Sequence, residues 1–302
     1  MDLKRRDFLK IIGLSTGSGL LGWVGTANAY VTKPDPHDSA AMLVDTTRCV
    51  GCRTCEMVCA EVNNLPEPAL LGDESIFEQK RTTETYAHTV VNRYPNPTGE
   101  PVYVKTQCRH CNEPACASAC LVKAMEKTPE GPVVYHEERC MGCRYCMVAC
   151  PFYIPKFEWS KAVPAVRKCI FCFERQKEGL EPACAENCPA EALKFGKRKE
   201  LLEIARTRIY QNPDQYIHHI YGEHEVGGTG WLYLSNIPFE QLGFRMDLGT
   251  RPYPEFTKGF LTAVPLVLLI WPALLGGVYA FTNQREQMNN TEKAVSPIKK
   301  EV

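Results

Sequence analysis

The sequence predicts an α+β fold that is organised around its cysteines and ends in one transmembrane helix. Three observations lead to this prediction. Sixteen cysteines fall into regularly spaced groups, short strand patterns lie between the groups, and one long uncharged stretch lies near the C-terminus. The chain has 302 residues, with 35 basic and 35 acidic side chains. Because these charges balance, the composition indicates neither a nucleic-acid partner nor binding to acidic lipid.

The sixteen cysteines form four quartets, and three residues always separate the last two cysteines of a quartet. Quartets 1 and 3 are spaced C-x2-C-x2-C-x3-C, whereas the middle gap is x4 in quartet 2 and x11 in quartet 4. In chain order the quartets are Cys49, Cys52, Cys55 and Cys59; Cys108, Cys111, Cys116 and Cys120; Cys140, Cys143, Cys146 and Cys150; and Cys169, Cys172, Cys184 and Cys188. No cysteine is left over, so the pattern indicates an internal repeat.

Four thiolates at this spacing are typical ligands of a cubane iron–sulfur cluster. The run C-x2-C-x2-C-x3-C-P is the local signature of bacterial ferredoxins, in which the fourth cysteine ligates the other cluster of a pair. Pro151 and Pro189 supply the proline after quartets 3 and 4, where a first helical turn needs no N–H. Ala60 and Leu121 stand at that position after quartets 1 and 2. The spacing predicts four 4Fe–4S clusters, with all sixteen cysteines as ligands to iron.

Other uses of grouped cysteines fit this spacing less well. Disulfide scaffolds are usually small secreted domains. Two cysteines that are separated by only two residues in one loop are also poorly placed to bridge each other. Zinc sites use paired C-x2-C arms rather than three cysteines within one short loop. The spacing leaves open the alternative that a single quartet binds zinc or a three-iron cluster. Covalent haem attachment requires C-x2-C-H, and no C-x2-C pair in this chain is followed by histidine.

The N-terminal segment has the features of an export signal for folded proteins. The letters RRDFLK, beginning at Arg5, match the twin-arginine pattern, and Ala27–Ala29 forms a small-residue cleavage site. We therefore predict a signal peptide at residues 1–29, with the mature protein beginning at Tyr30. An uncleaved anchor is disfavoured because the apolar core is short and rich in glycine. Since this route exports folded proteins, clusters built in the cytoplasm could cross the membrane already bound.

A second apolar segment lies near the C-terminus. Residues 260–281 comprise 22 residues without a charge. As a helix this stretch would be ~33 Å long, enough to cross the hydrocarbon core of a bilayer. Its two prolines would bend it, which membrane helices tolerate. A buried helix of a soluble domain is the alternative. We predict a domain at 30–257, a transmembrane helix at 258–283 and a cytoplasmic tail at 284–302.

Short patterns between the quartets predict strands and one further helix. The letters PVVYHEERC, from Pro132, predict a strand that enters quartet 3, and AMEKTPEG before it predicts the other arm of a hairpin. Residues 102–104 predict a similar strand before quartet 2. After quartet 4, KRKELLEIARTRIY has apolar residues at helical spacing, and GEHEVGGTGWLYLSNIP predicts a glycine turn followed by a strand. Residues 60–100 have the character of an insertion between quartets 1 and 2.

Together the quartets resemble the four-cluster ferredoxin-type electron-transfer subunits of membrane-bound respiratory oxidoreductases. That family includes the beta subunits of dimethyl sulfoxide reductase and formate dehydrogenase and the iron–sulfur subunit of hydrogenase-2-type complexes. The resemblance covers roughly Met42 to Pro238, and the C-terminal helix extends it for the formate dehydrogenase and hydrogenase-2 branches. The stretches that carry it are DTTRCVGCRTCEMVC, QCRHCNEPACASAC, CMGCRYCMVACPFYIPKF and EPACAENCPAEALKFGKRKE.

This resemblance implies two ferredoxin-like two-cluster modules in nested order, with an inner module at about residues 101–165 built from quartets 2 and 3. The spacing alone supports the inner pairing but does not exclude pairing quartet 3 with quartet 4. The ligand sets that the resemblance implies are set A, Cys49, Cys52, Cys55 and Cys188; set B, Cys169, Cys172, Cys184 and Cys59; set C, Cys108, Cys111, Cys116 and Cys150; and set D, Cys140, Cys143, Cys146 and Cys120.

The resemblance also implies a non-catalytic role in electron transfer. All sixteen thiols are assigned to clusters, and no Ser/His/Asp set or carboxylate pair stands out as a catalytic site. We expect the chain to relay electrons between a periplasmic catalytic subunit and a quinone-reactive membrane subunit. The expected location is the periplasmic side of the bacterial inner membrane, with a single-pass anchor in the lipid bilayer and no nucleic-acid partner.

The favoured catalytic partner is a nickel–iron hydrogenase, because hydrogenase-2-type subunits resemble this chain in having both a twin-arginine signal and a membrane helix. A molybdopterin oxidoreductase such as formate dehydrogenase, or a multihaem cytochrome, is the alternative partner. A zinc or disulfide interaction module is the alternative from another functional class, and it would be colourless when purified.

Overall fold

The computed structural model describes residues 39–97 and 99–295, so the predicted signal peptide at 1–29 lies outside the described residues. Helices and strands alternate along the chain, which confirms the mixed α and β prediction. The strands are β1 Ala40–Asp45, β2 Val90–Tyr94, β3 Val102–Thr106, β4 Met125–Lys127, β5 Val133–Tyr135, β6 Lys156–Phe157, β7 Val166–Arg167, β8 Leu193–Lys197 and β9 Trp231–Leu234. The α-helices are α1 Thr54–Val62, α2 Ala115–Ser118, α3 Tyr145–Ala149, α4 Phe173–Lys177, α5 Ala183–Glu186, α6 Arg198–Gln211 and α7 Tyr253–Val295.

A three-stranded sheet with the order β8-β1-β9 joins the two ends of the cysteine-containing region. Strand β1 pairs antiparallel with β8 and parallel with β9, so that Met42 lies opposite both Phe195 and Trp231. Strand β1 precedes quartet 1 and β8 follows quartet 4. This pairing therefore brings the first and last quartets to the same sheet.

The alternation of side chains along β1 divides the core between the two faces of this sheet. Leu43 faces helix α6, where it packs in a buried cluster with Leu201. Met42 faces the opposite side and packs in the cluster that contains Phe171 and Cys184. The sheet thus presents one apolar face to a helix and the other to the cysteine loops.

Three antiparallel hairpins complete the strands. The β4–β5 hairpin confirms the prediction made from AMEKTPEG and PVVYHEERC. Gly131 in its turn has a φ of 121°, and a Cβ at this position would lie 2.9 Å from the carbonyl oxygen of Ala40. The predicted strand before quartet 2 is β3, and it pairs with β2, a strand inside the predicted insertion at 60–100. The third hairpin joins β6 and β7.

Helix α7 extends beyond the predicted membrane segment at both ends. It has 43 residues and contains both Pro265 and Pro272 without interruption. Over Tyr253–Asn290 it is long and apolar enough to cross a membrane, and none of its most apolar stretch is buried against the rest of the protein. It contacts helix α2, which carries the third cysteine of quartet 2.

Candidate iron–sulfur cluster sites

The four quartets share a backbone bend at the second residue after the first cysteine. Gly51 and Gly142 occupy this position in quartets 1 and 3, both with a φ of 71°. His110 and Phe171 occupy it in quartets 2 and 4, with φ values of 47° and 61°. This left-handed region is unfavourable for residues that carry a Cβ. Its recurrence at all four loops shows that the repeat seen in the sequence is also a repeat of backbone shape.

Backbone and side-chain N–H groups donate hydrogen bonds to several sulfurs. Such bonds favour the thiolate that binds iron, and they are one means by which a protein sets the potential of a cluster. The bonds are Gly142 N–H to Cys140 Sγ at 3.4 Å, Phe171 N–H to Cys169 Sγ at 3.3 Å, Ala124 N–H to Cys120 Sγ at 3.1 Å and Asn63 Nδ2–H to Cys59 Sγ at 3.6 Å.

Short helices position the later cysteines of each quartet. The third cysteines lie on helices α1, α2, α3 and α5; they are Cys55, Cys116, Cys146 and Cys184. Helix α1 packs against α5, and helix α2 packs against α3. The helices of quartets 1 and 4 therefore form one pair, and those of quartets 2 and 3 form the other.

The structure brings Cys188, the last cysteine of quartet 4, next to the first three cysteines of quartet 1. Burial raises the pKa of the Cys49 thiol to about 11, and the charges of Cys188 and Cys52 contribute to this rise. Cys49, Cys52, Cys55 and Cys188 line one cavity. The last thiol of quartet 4 thus lies beside the loop of quartet 1.

The reciprocal arrangement holds for Cys59, the last cysteine of quartet 1. Burial raises the pKa of the Cys59 thiol to about 12, and the charges of Cys184 and Cys172 contribute. Cys59 lines a second cavity with Cys169, Cys172 and Cys184. The members of sets A and B therefore surround two separate cavities.

The last cysteines of quartets 2 and 3 also lie near the other quartet of this pair. Burial raises the pKa of the Cys116 thiol, with contributions from the charges of Cys150 and Cys108. Burial also raises the pKa of the Cys146 thiol to about 11, and Cys120 is the largest contributing charge, ahead of the other members of quartet 3. Cys150 and Cys108 of set C are thus the nearest charges to Cys116, ahead of Cys146 of set D, and Cys120 is the nearest to Cys146.

The donor chemistry of these sites fits iron–sulfur clusters. All sixteen cysteines lie within the described residues, and all are free thiols. Because burial raises the pKa values of many of them, these thiols hold their protons in the absence of metal, and binding iron displaces the protons. Sulfur donors in apolar surroundings are the ligands that iron–sulfur clusters use.

Three lysines beside the quartets escaped the sequence analysis. Lys105 and Lys168 are buried and Lys127 is half-buried, and each lies near cysteines of at least one quartet. Their Nζ groups donate to neutral oxygens, among them the carbonyl of His110 for Lys127 and the carbonyl of Cys169 for Lys168. The sequence signal that could have found two of them is a lysine shortly before the first cysteine of quartets 2 and 4. This signal is weak because a single charged residue usually faces solvent.

Comparison with known proteins also indicates that the chain binds 4Fe–4S clusters. Residues 100–198 match the family model of a 4Fe-4S dicluster domain. The sequence is 50% identical over 298 residues to a protein of Nitratidesulfovibrio vulgaris, covering 97% of this chain and 80% of the relative. It is 34% identical over 276 residues to the hydrogenase-2 operon protein HybA of Escherichia coli O157:H7, covering 80% of this chain and 83% of that protein.

A second type of relative is the iron–sulfur subunit of the nitrate-inducible formate dehydrogenase of Escherichia coli K12. It is 33% identical over 221 residues, which are 69% of this chain and 74% of the relative. Both HybA and this subunit exceed 30% identity over more than two thirds of the sequence, which is enough to show common membership of a family. On this sequence evidence, the chain belongs to the family of multi-cluster 4Fe–4S electron-transfer subunits of these oxidoreductases.

Proposed function

We propose that the chain relays single electrons through four 4Fe–4S clusters held by sets A, B, C and D. The observation that carries this proposal is the reciprocal exchange of the last cysteines between quartets. Cys188 lies with quartet 1 and Cys59 with quartet 4, while Cys150 and Cys120 are exchanged between quartets 2 and 3. The fourth cysteine of the ferredoxin motif ligates the neighbouring cluster in the same manner.

The same exchange supports the nested order of the modules. Sets A and B use the first and last quartets, whose flanking strands β1 and β8 pair in one sheet. Sets C and D use the two middle quartets, which the β4–β5 hairpin connects. We therefore assign an outer module to quartets 1 and 4 and an inner module to quartets 2 and 3, within a domain at 30–257.

When bound, a 4Fe–4S cluster supplies a one-electron redox centre. The residues of this chain would hold each centre by four thiolates and exclude water from it. They would also set its potential by N–H donors to sulfur, such as Phe171 N–H to Cys169 Sγ at 3.3 Å. Cys184 is buried and Cys55 is half-buried against the same core cluster, so these ligands lie in a medium of low dielectric constant, where nearby charges act strongly.

Metal analysis and paired serine variants test the cluster assignment. Anaerobically purified protein should contain about sixteen irons and as many acid-labile sulfides per chain, four for each cubane. Cys188→Ser and Cys49→Ser should alter the same electron paramagnetic resonance (EPR) signal, while Cys59→Ser and Cys169→Ser should alter another. If Cys188→Ser instead altered the signal that Cys169→Ser alters, quartet 4 would hold its own cluster and the nested assignment would be wrong.

We further propose that the cluster domain is exported by the twin-arginine route and anchored on the periplasmic side of the inner membrane. In this arrangement residues 1–29 form the signal peptide, residues 258–283 cross the bilayer and residues 284–302 lie in the cytoplasm. The twin arginines at Arg5 and Arg6 and the unburied apolar surface of α7 support this proposal. Replacing both arginines by lysine should leave the protein in the cytoplasm, whereas unchanged export would refute the route.

For the catalytic partner we favour a nickel–iron hydrogenase, working with a quinone-reactive membrane subunit. The support is the relative HybA, which covers more of this chain than the formate dehydrogenase subunit does, at 80% against 69%. A molybdopterin oxidoreductase of the formate dehydrogenase type is the second candidate because its subunit is almost equally similar, at 33% identity. Mass spectrometry of proteins that copurify with the full chain in mild detergent separates the two, since one outcome contains nickel and the other molybdenum.

A further inference from the structure

A single lysine side chain lies between the two cavities of the outer module. Lys105 belongs to strand β3 and is 3% exposed. It lines the cavity formed by the cysteines of set A and also the cavity formed by those of set B. One ammonium group is therefore shared by the two sites.

Neutral groups hold this ammonium in place. Lys105 Nζ donates to Thr89 Oγ1 at 2.7 Å and to Gln107 Oε1 at 3.2 Å, and it lies 4.6 Å from the centre of the Trp231 ring. Gln107 Nε2 in turn donates to the Tyr233 hydroxyl at 2.7 Å, which fixes the amide. Within residues 39–97 and 99–295, no carboxylate lies within ion-pair distance of Lys105.

Sulfur ligands are the groups beside Lys105 that would carry balancing negative charge once iron is bound. The two cavities that Lys105 lines are also lined by Cys184, Cys55, Cys169 and Cys59. Cys55 belongs to set A, and the other three belong to set B. A buried cation is costly unless it is paired, and clusters held by these cysteines would supply a negative partner on both sides of Lys105.

We propose that Lys105 raises the reduction potentials of the two outer clusters, those of sets A and B, by placing one fixed positive charge between them. This inference rests on the proposed ligand sets. Reduction adds an electron to a site that is already negative, and a nearby cation stabilises the reduced form. Charge near the sulfurs is one of the factors that set cluster potentials. Because the ammonium is shared, it favours an electron on either cluster and supports transfer between them.

The test is a redox titration of the full chain, purified anaerobically and followed by EPR. In Lys105→Met the side chain stays long and unbranched but loses its charge. Two of the four midpoint potentials should fall, each by at least a tenfold change in the equilibrium constant of reduction, or about 59 mV for a one-electron couple. The other two should not move. The two signals that shift should be those that Cys49→Ser and Cys169→Ser alter.

Two control variants separate buried charge from other effects. Lys105→Arg keeps the charge and should leave all four potentials within a few-fold change in the equilibrium constant. Lys194→Met removes an exposed lysine from β8 in the same module and should also have little effect, because solvent screens its charge. Unchanged potentials in a Lys105→Met protein with full iron content would overturn the proposal, as would an equal fall in all four.

Loss of clusters in the variant is also informative. If Lys105→Met and Lys105→Gln lose iron from the outer sites while Lys105→Arg retains it, the positive charge is needed to balance those sites, which supports the proposal. Equal loss in Lys105→Arg would show that side-chain shape is what matters and would overturn it. A wild-type protein that contains no iron would instead refute the proposed function, so the two failures are distinguishable.

Discussion

Quartets 1 and 3 have the same spacing, the same left-handed glycine and the same arginine after the second cysteine, yet their surroundings differ. In quartet 1, a Cβ on Gly51 would overlap the Tyr103 ring, whereas a Cβ on Gly142 in quartet 3 would meet nothing within 4 Å. Tyr103 belongs to β3, next to the insertion that precedes it. The motif therefore determines the backbone of the loop, while the elements packed against the loop determine how deeply it is buried.

The two arginines show the same contrast. Arg53 and Arg144 both begin a helix with left-handed backbone angles, φ 62° and φ 60°. Arg53 is 2% exposed and donates to the carbonyl oxygens of Ala69 at 2.8 Å and Leu70 at 3.0 Å, within the insertion. Arg144 is exposed and lies 4.8 Å from the centre of the Trp159 ring.

Alanine at the two glycines should give the largest difference. Gly142→Ala should cost ~1–2 kcal/mol, because the left-handed conformation alone is strained. Gly51→Ala should cost ~1–3 kcal/mol more, since the new Cβ also overlaps the ring of Tyr103. Anaerobic denaturant unfolding and iron content measure both. In the Gly51→Ala background, Tyr103→Ala should restore the backbone of the loop and remove the additional loss of iron; if it does not, the ring is not the cause.

Removing each arginine should give a smaller difference. Arg53→Met removes two partly buried hydrogen bonds to carbonyl oxygens and the buried ion pair with Glu56 at 3.4 Å, and loss of bonds to a charged group costs ~1.5–3 kcal/mol. Arg144→Met removes only an exposed contact with an aromatic ring, worth ~0.5–1 kcal/mol. The shift in the midpoint of denaturant unfolding checks this order. Equal shifts would mean that the insertion does not stabilise quartet 1.

Substitutions on the outer helical faces should give the smallest effects. Val148 on α3 is 76% exposed, and Val148→Ser should change stability by less than ~0.5 kcal/mol. Met57 is the corresponding residue of α1 and is half-buried, so Met57→Ser should cost ~1 kcal/mol. Thermal unfolding of the two variants, compared under identical anaerobic conditions, decides the order. A larger loss for Val148→Ser would contradict the exposure of quartet 3.

The parts of the fold with local signals could be predicted from the sequence. Turn residues and apolar patterns predicted the β4–β5 hairpin, strand β3, helix α6 and strand β9, and all four are present. The pairing of β1 with β9 could not be predicted, because β partners distant in sequence leave no local pattern. The position of Lys105 could not be predicted for the same reason. Lysine is usually exposed to solvent, and only the tertiary arrangement encloses this side chain between two groups of thiols.

The central sheet also imposes an order on biosynthesis. The two arms of the β4–β5 hairpin leave the ribosome almost together, whereas β1 must wait for β8 and then β9 before its own hydrogen bonds are complete. During translation the middle of the domain can therefore mature while the first quartet still lacks Cys188. Because β8 and β9 lie near the end of the domain, this sheet can close only after nearly the whole domain has emerged.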